Sequence, residues 1–461
     1  MRCSRLAPAG SAAVINRVRS YLVRDGLGPA LAKAVTGSAG VRVAGMAFAF
    51  LVGVQLARGL GAVGYGEYGL AMSIIALLTV PTEFGLPQLV TREVAISYAQ
   101  SQWGKLRGVI RWAVRSSMLI AMAVALCLVG WIVFGGSKAA TLAGTLMPGV
   151  VLVPVVALLS LHSAALRGAQ QIVRGQLPEI ALRPAFHSLL LFAVPLVLFP
   201  LTPAMAMWLG VAAAMMSLAY AHRLLGRVLP PQAFSVKPEL TPHHWWSSAI
   251  PMAMTEGMRI LQSHVLIFFL GAMVSIAEVG VFRVAVSTAA IVTMPSSLFN
   301  VVSMPVVARL HATGQHIQLK RMLGMVSAGM LAGVVALSIP FFVAGDRLLG
   351  FLFGSEFSAS SPALTILCVT AIANAALGVN AALLNMTGHQ NRVTLASAIA
   401  LGVLLVSGPF LIRRYGIMGA AYSNLASIST WGLIMWRDCI RLLGLDTSVF
   451  GILRRRTDIS R

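Results

Sequence analysis

The sequence predicts an all-α integral membrane protein with about twelve transmembrane helices in two six-helix lobes. Three observations support this fold class: long apolar runs, basic residues that alternate between successive loops, and a weak internal repeat. Of the 461 residues, 58% are hydrophobic and only 10% are charged. About a quarter of the residues of an ordinary soluble domain are charged, so a soluble fold of this length does not need so much apolar surface.

Each apolar run is long enough for a spanning helix, which takes about 20 residues. We place the spans at residues 39–60, 68–88, 112–135, 142–165, 180–200, 203–225, 247–274, 279–306, 322–345, 359–386, 392–412 and 417–438. Several spans contain interior prolines, among them Pro81, Pro251 and Pro295. Neighbouring helices can satisfy the carbonyls that such prolines free, and kinked helices are typical of proteins that open alternately to two sides.

The spans divide the chain into five parts. Residues 1–38 form an N-terminal amphipathic segment and residues 39–225 the N-lobe. A linker at 226–246 leads to the C-lobe at 247–440, and a basic tail follows at 441–461.

The basic residues predict the orientation of the chain. The formal net charge is +22, and 28 of the 35 lysines and arginines fall on one side of the predicted spans. Because loops rich in lysine and arginine stay in the cytoplasm, both termini and the linker are predicted to be cytoplasmic. The charges flank apolar runs, so they indicate contact with anionic membrane lipids and not with nucleic acid.

Two short echoes indicate an internal repeat. Leu60–Ala62 and Glu67–Gly69 are echoed by Leu270–Ala272 and Glu278–Gly280, and Ala164–Gln170 is echoed around Thr387–Gln390. The two members of each echo lie at equivalent positions in the first six and the second six spans. Six is an even number, so both halves enter the membrane from the same side and form a parallel repeat.

Charged residues inside spans are the main functional candidates: Arg42, Glu83, Glu256, Arg259 and Arg283. An ionised group in mid-membrane costs about 2.5–3.5 kcal/mol, so these residues should face one another, water or a substrate. All lie in the first two spans of each half, where a parallel repeat would place them across a shared cleft. We predict a hydrated, cationic cavity there, to which Arg58, Gln262 and Asn300 also contribute.

Several of these residues allow a second interpretation. Arg42 and Arg58 stand near span ends and could extend to the interface. Glu256 and Arg259 are three residues apart on one helix face and could neutralise each other. Glu83 could bind H⁺ or Na⁺ for ion coupling, or could simply pair with Arg92.

The segment ARGLGAVGYGEYGL at residues 57–70, followed by Glu83–Leu86 and Leu89–Glu93, resembles the opening of Wzx-type polysaccharide and O-antigen flippases. These belong to the multidrug/oligosaccharidyl-lipid/polysaccharide (MOP) exporter superfamily. The twelve-span plan and the Glu278–Arg309 segment are similar to that family too. The family usually has aspartate where Glu83 stands, so the charge is kept.

The resemblance implies a MATE-like fold in a multi-pass protein of the bacterial inner membrane. It implies a flippase that carries an undecaprenyl-diphosphate-linked oligosaccharide from the cytoplasmic to the periplasmic leaflet. Membrane lipids and polysaccharide polymerase or export machinery are the implied partners. No cofactor or metal is expected beyond a coupling H⁺ or Na⁺. No Walker loop is present, so ATP is not the direct driver.

Three other functions are compatible with a chain of many apolar spans. A MATE-type drug or organic-cation antiporter should have mainly acidic and aromatic residues in its spans, whereas arginines here equal or outnumber the carboxylates. A lipid II flippase is a substrate variant of the leading hypothesis. A membrane-embedded glycosyltransferase needs a large extramembrane loop. The longest outer loops are about 10–20 residues, too short for one, so no enzyme is predicted.

Overall fold

The computed structural model describes residues 27–193, 200–240 and 242–449, and all regular structure in these residues is helical. The first half contains, in chain order, α1 (Leu27–Glu83), α2 (Leu86–Ala99), α3 (Trp103–Phe134), α4 (Gly136–Gly168), α5 (Ile172–Gln176), a π-helical turn (Leu177–Leu182), α6 (Arg183–Ala193) and α7 (Pro203–Val228). The predicted amphipathic segment 1–38 and the tail 441–461 lie largely outside the described residues.

A short helix, α8 (Gln232–Ser235), lies in the segment between the halves. The second half contains α9 (Pro242–Met273), α10 (Ile276–Val292), α11 (Met294–Ala312), α12 (His316–Phe353), a 3₁₀ turn (Ser355–Ser360), α13 (Ser361–Leu377), α14 (Asn380–Met386) and α15 (Gln390–Leu443).

Helices α1 and α15 each contain two spans. They have 57 and 54 residues, respectively. At 1.5 Å per residue each would be about 80 Å long if straight, more than twice the hydrocarbon thickness. Each is broken at a glycine with positive φ, Gly61 (67°) in α1 and Gly416 (56°) in α15. These breaks fall between the spans predicted at 39–60 and 68–88, and between those predicted at 392–412 and 417–438.

Within the described residues, seven helices are long and apolar enough to cross a membrane, or eight if α10 and the start of α11, bent by 43°, count as one span. The two double-length helices are each counted once in this set. Helix α9 falls outside it, because its polar stretch from Glu256 to His264 dilutes the apolar content. The predicted all-α, multi-pass membrane fold is confirmed.

The two halves pack most extensively through α1 and α10. A Cβ atom at Gly66 would lie 1.8 Å from the carbonyl oxygen of Ile276, and one at Gly280 would lie 2.2 Å from that of Ala62. The two backbones therefore touch where the second span of each half begins. This glycine contact joins the two halves at the end predicted to be periplasmic, which we call the outer end.

The segment between the halves is fixed across α3. The N–H of Glu239 donates to the Gly104 carbonyl at 3.0 Å, and Nη1 of Arg107 donates to the Val236 carbonyl at 2.8 Å. A Cβ atom at Gly108 would lie 1.8 Å from the Glu239 carbonyl oxygen. Glycine at 108 therefore permits the close approach of the linker.

We expect Gly108→Ala to lower the melting temperature of the detergent-purified protein by about 3 °C or more, because the new methyl group displaces the linker. Gly130→Ala in the same helix is the matched control, since a Cβ atom there meets nothing within 4 Å. It should leave the melting temperature unchanged or raise it, because alanine favours a helix over glycine. Equal melting temperatures for the two variants would contradict this account of the linker.

Candidate functional site

Two cavities lie between the halves. The first, which we call the carboxylate cavity, has a volume of about 370 Å³ and is lined by α1, α2, α4, the π-helical turn and α9. The second, the tyrosine cavity, has a volume of about 330 Å³ and is lined by α1, α9 and α10. His264 lines both cavities. Together they form the cleft between the lobes, which is mainly polar at the carboxylate cavity and mainly apolar at the tyrosine cavity.

The carboxylate cavity contains charges of both signs. Glu83, Glu179 and Glu256 line it together with Arg167 and Arg259. Nη1 of Arg167 lies 3.4 Å from the Glu179 carboxylate. The predicted cationic cavity was therefore wrong for this part of the cleft, where carboxylates outnumber arginines among the lining residues. Glu83 and Glu256 were expected from the sequence, whereas Glu179 lies just before the span predicted at 180–200, so the restriction to span interiors excludes it.

Arg259 and Glu256 form the ion pair predicted from their spacing. Nε of Arg259 donates to Glu256 at 3.0 Å, and Nη2 bonds to the same oxygen. The Arg259 side chain is nevertheless 67% exposed, while that of Glu256 is 24% exposed. Nε2 of Gln88, from the opposite half, donates to Glu256 at 3.4 Å. The guanidinium of Arg259 is thus held in place and still has a free face toward the cavity.

Glu83 lies where α1 ends at the cavity wall. Phe84 and Gly85 follow with φ angles of 38° and 68°, so the helix cannot continue. A Cβ atom at Gly85 would lie 2.5 Å from the backbone nitrogen of Ala253, which means that the opposite half packs directly on this break. The break leaves the Glu83 carboxylate facing the cavity.

The alternative that Glu83 pairs with Arg92 is wrong. Nη2 of Arg92 lies 2.9 Å from Glu93, its neighbour in the chain. None of the ion pairs among the described residues includes Glu83. Arg92 and Glu93 satisfy each other on α2, and Glu83 remains beside the other two carboxylates of the cavity.

Arg283 crosses from the second half into the first. Its guanidinium carbon lies 5.5 Å from the ring centroids of both Tyr65 and Tyr68, and Nη1 donates to the Gly69 carbonyl at 3.1 Å. A Cβ atom at Gly69 would lie 2.6 Å from Cδ of Arg283, so glycine makes room for the arginine. The two aromatic faces stabilise the charge without neutralising it.

The other predicted residues do not line these two cavities. Nε2 of Gln262 donates to the Ser397 carbonyl at 2.8 Å, and Nδ2 of Asn300 donates to the Ser296 carbonyl at 2.8 Å. Both amides therefore satisfy backbone groups. Arg42 lies on the first span with its Nε buried and without a hydrogen-bond partner among the described residues.

Arg58 lies at the outer end, where it joins the two halves. Its Nε donates to the Leu352 carbonyl at 2.8 Å, and its Nη2 donates to the carbonyl of Phe351. In the opposite direction, the N–H of Ala62 donates to the Glu356 carboxylate at 3.0 Å. These two contacts, which we call the outer latch, reinforce the glycine contact between α1 and α10.

Sequence reasoning missed four residues that line the cleft and one beside it: Tyr65, Tyr68, Arg167 and Glu179, and Arg183. Arg183 begins α6 beside the π-helical turn, and its electrostatic neighbours are Tyr68, Glu179 and Glu83. It lies inside the span predicted at 180–200, so the cost of a charge in the membrane should have identified it. A π-helical segment is itself frequent at functional sites.

An aromatic cluster surrounds Trp245 and Trp246 at the start of α9. The ring of Trp112 lies 5.1 Å from that of Trp245 and 5.2 Å from that of Trp246, and Phe84 packs on Trp246 at 5.7 Å. This cluster closes the first half against the start of α9, at the end opposite the outer latch.

Comparison with known protein families identifies the family of this chain. Residues 31–311, more than half of the chain, match the family described as polysaccharide biosynthesis protein. The chain belongs to this family. The predicted relationship to polysaccharide exporters is therefore confirmed. No curated protein matches the chain in sequence.

Solved structures of MOP superfamily transporters share the fold. An inward-facing multidrug resistance MATE transporter has a TM-score of 0.65 at 13% identity, with 86% of this chain and 97% of that chain covered. A mutant of the Vibrio cholerae MATE transporter VcmN has a TM-score of 0.61 at 14% identity, covering 90% and 98%.

A third structure is a MOP superfamily transporter from Pyrococcus furiosus, described as having a binding pocket of reversed polarity. Its TM-score is 0.56 at 12% identity, covering 92% of this chain and 95% of that chain. The predicted MATE-like, two-lobe architecture is confirmed, and the family and fold are those of membrane transporters.

Proposed function

We propose that this protein is a flippase for an undecaprenyl-diphosphate-linked oligosaccharide, moving it from the cytoplasmic to the periplasmic leaflet of the bacterial inner membrane. The observation that carries the proposal is the cleft between the lobes of a polysaccharide biosynthesis family member, with Arg259 and Arg283 along it. Membrane lipids and polysaccharide polymerase or export machinery are the proposed partners. Both termini lie in the cytoplasm.

The chemistry of the substrate explains the arginines. A diphosphate and a sugar head group must cross about 30 Å of hydrocarbon while the lipid tail stays in the bilayer. A guanidinium binds phosphate oxygens through two parallel hydrogen bonds, which makes arginine suited to this task. Glu256 neutralises Arg259 while the cleft is empty. When the substrate enters, the free face of the guanidinium donates hydrogen bonds to the phosphate.

The arrangement of contacts supports alternating access. The glycine contact and the outer latch close the cleft at its outer end, and the same surfaces must separate to release the head group there. The latch consists of a few exposed hydrogen bonds between a charged side chain and main-chain atoms, and such bonds contribute about 1.5–3 kcal/mol each. Substrate binding can therefore open it.

We also propose that Glu83 couples transport to an H⁺ or Na⁺ gradient. Three carboxylates share one cavity, and two of them already have an arginine partner. A cation bound at Glu83 would relieve the repulsion between the carboxylates, and its release would favour the alternative state of the lobes.

Glu83→Gln should make transport independent of the gradient, since the amide resembles the occupied carboxylate. Proteoliposomes with and without an imposed H⁺ or Na⁺ gradient would measure this. The wild-type protein should respond severalfold to the gradient, and Glu93→Gln, which removes a carboxylate paired with Arg92 outside the cavity, should respond like the wild type. A full gradient response in Glu83→Gln would refute the coupling role.

Deleting the gene in a host strain that has no paralogue tests the function itself. Undecaprenyl-linked repeat units should accumulate on the cytoplasmic leaflet, and the intact gene should restore their export. Normal export in the deletion strain would defeat the proposal.

One observation favours a second candidate, the MATE-type drug or organic-cation antiporter. The three carboxylates of the carboxylate cavity could bind an organic cation, and two of the similar structures are MATE transporters. In that case Arg259→Ala would remove a repulsive charge and increase the efflux of a cationic dye. For a flippase, the same substitution should reduce translocation of the lipid-linked oligosaccharide and leave dye efflux at the background level.

A further inference from the structure

A third cavity lies outside the cleft, on the side of the first half. It has a volume of about 380 Å³, opens to the surface and is lined by α3, α4, α7 and α8. None of its lining residues lines the carboxylate or tyrosine cavity. It is therefore separate from the proposed transport path and needs its own explanation.

The lining of this cavity has two parts. Most of the surface is apolar and is formed by residues such as Ile110, Val114 and Leu225. Val90 and Leu161 extend this apolar wall. Arg107, Arg111, His162 and His222 supply the polar part. No carboxylate is among the lining residues, so the cavity combines apolar walls with a positive charge.

The two arginines are placed to act together. Arg107 and Arg111 are four residues apart on α3, so they share one face of the helix. The bond from Arg107 to the Val236 carbonyl, 2.8 Å long, fixes the position of its guanidinium. Arg111 is exposed one turn further along. A phosphate group at the mouth of the cavity would meet both.

The two histidines form a fixed pair. Nδ1 of His162 lies 2.8 Å from the Leu158 carbonyl and therefore carries the hydrogen, which leaves Nε2 as an acceptor. Nδ1 of His222 lies 3.2 Å from that Nε2 and therefore donates to it. In this arrangement Nε2 of His222 is an acceptor on an exposed ring, able to receive a hydrogen bond from a hydroxyl group.

We propose that this cavity binds an anionic phospholipid of the glycerol head-group class. The phosphate would lie between Arg107 and Arg111, a glycerol hydroxyl would donate to His222, and an acyl chain would cover the apolar wall. Basic pockets between transmembrane helices on the cytoplasmic side are typical lipid head-group sites. A free phosphate would leave the apolar wall uncovered, so the lipid fits the lining better.

Titration of the delipidated, detergent-purified full chain with short-chain phosphatidylglycerol, followed by native mass spectrometry, tests the site. Phosphatidylcholine with the same chains tests the contribution of the anionic glycerol head group, and glycerol phosphate without chains tests that of the acyl chains. Phosphatidylglycerol should bind about tenfold more tightly than either, because it alone offers both an anionic head and chains.

Two variants act on the cavity by different means. Arg111→Gln removes a charge from its mouth, and Gly226→Leu fills it without changing the charge, since a Cβ atom at Gly226 meets nothing within 4 Å. Each should weaken phosphatidylglycerol binding about tenfold. Arg227→Gln and Gly130→Leu are the matched controls, on residues of α7 and α3 that do not line the cavity.

The controls should bind phosphatidylglycerol like the wild type. Wild-type affinity in Gly226→Leu, equal weakening in Arg227→Gln and Arg111→Gln, or equal affinity for phosphatidylcholine would each overturn the proposal. Tight binding of glycerol phosphate alone would assign the site to a soluble anion and overturn the lipid assignment. The experiment measures binding and not transport, so its outcome does not depend on the proposed flippase function.

Discussion

Replacing Arg283 by glutamine should reduce translocation of the lipid-linked oligosaccharide about tenfold or more, the largest effect expected of any single side chain in the cleft. Arg283 is the arginine of the tyrosine cavity, and it combines contacts with two aromatic faces and the Gly69 carbonyl. Glutamine can keep one hydrogen bond but supplies neither the charge nor the planar fork. Reconstituted proteoliposomes with a fluorescent lipid-linked oligosaccharide would measure the loss.

Two further variants separate the causes. Arg283→Lys retains the charge but not the fork, so we expect an intermediate rate. Arg347→Gln, at an exposed arginine of α12, removes the same charge outside the cleft and should transport like the wild type. An unchanged rate in Arg283→Gln would eliminate Arg283 from the substrate path, whereas an equal loss in Arg347→Gln would indicate an effect of net charge alone.

Gly66→Ala should open the outer end of the cleft. The added methyl group would lie 1.8 Å from the Ile276 carbonyl oxygen, a distance that no packed atoms can adopt. The backbones of α1 and α10 must then separate, which weakens the closed state of the outer end and shifts the population toward the outward-open state.

A cysteine at position 263, which lines the tyrosine cavity, reports this shift in a background without the four native cysteines. A membrane-impermeant thiol reagent added on the outer side should label Ser263→Cys severalfold faster when Gly66→Ala is present. Gly40→Ala, also on α1, adds a methyl group with nothing within 4 Å and should not change the labelling. Unchanged labelling in Gly66→Ala would show that the glycine contact does not close the cleft.

The sequence was sufficient for the architecture because hydrophobic length and loop charge are local properties. The breaks at Gly61 and Gly416 lie within or beside predicted loops, and the Glu256–Arg259 pair follows from helix periodicity alone. Each of these features depends on residues that are close in the chain. Such features can be predicted without knowing how the helices pack.

The composition of the cleft could not be predicted in the same way. The contact from Arg283 to Gly69 joins residues 214 positions apart, and that from Arg58 to Leu352 joins residues 294 positions apart. The positive charge of these two arginines did not indicate that Arg283 would line the tyrosine cavity or that Arg58 would form part of the outer latch. The sequence was equally compatible with a Glu83–Arg92 ion pair and with an unpaired Glu83. The break at Gly85 separates the two residues, and Arg92 pairs with Glu93 instead.

The outer latch has an evolutionary consequence. Arg58 and Glu356 both bind main-chain atoms of the opposite lobe, the carbonyls of Phe351 and Leu352 and the amide of Ala62. Substitution of those three partners, except by proline at position 62, would leave the bonded atoms in place, so the latch constrains the two charged residues more than their partners. Correlated changes between aligned positions would therefore not reveal this contact, although it joins the two lobes.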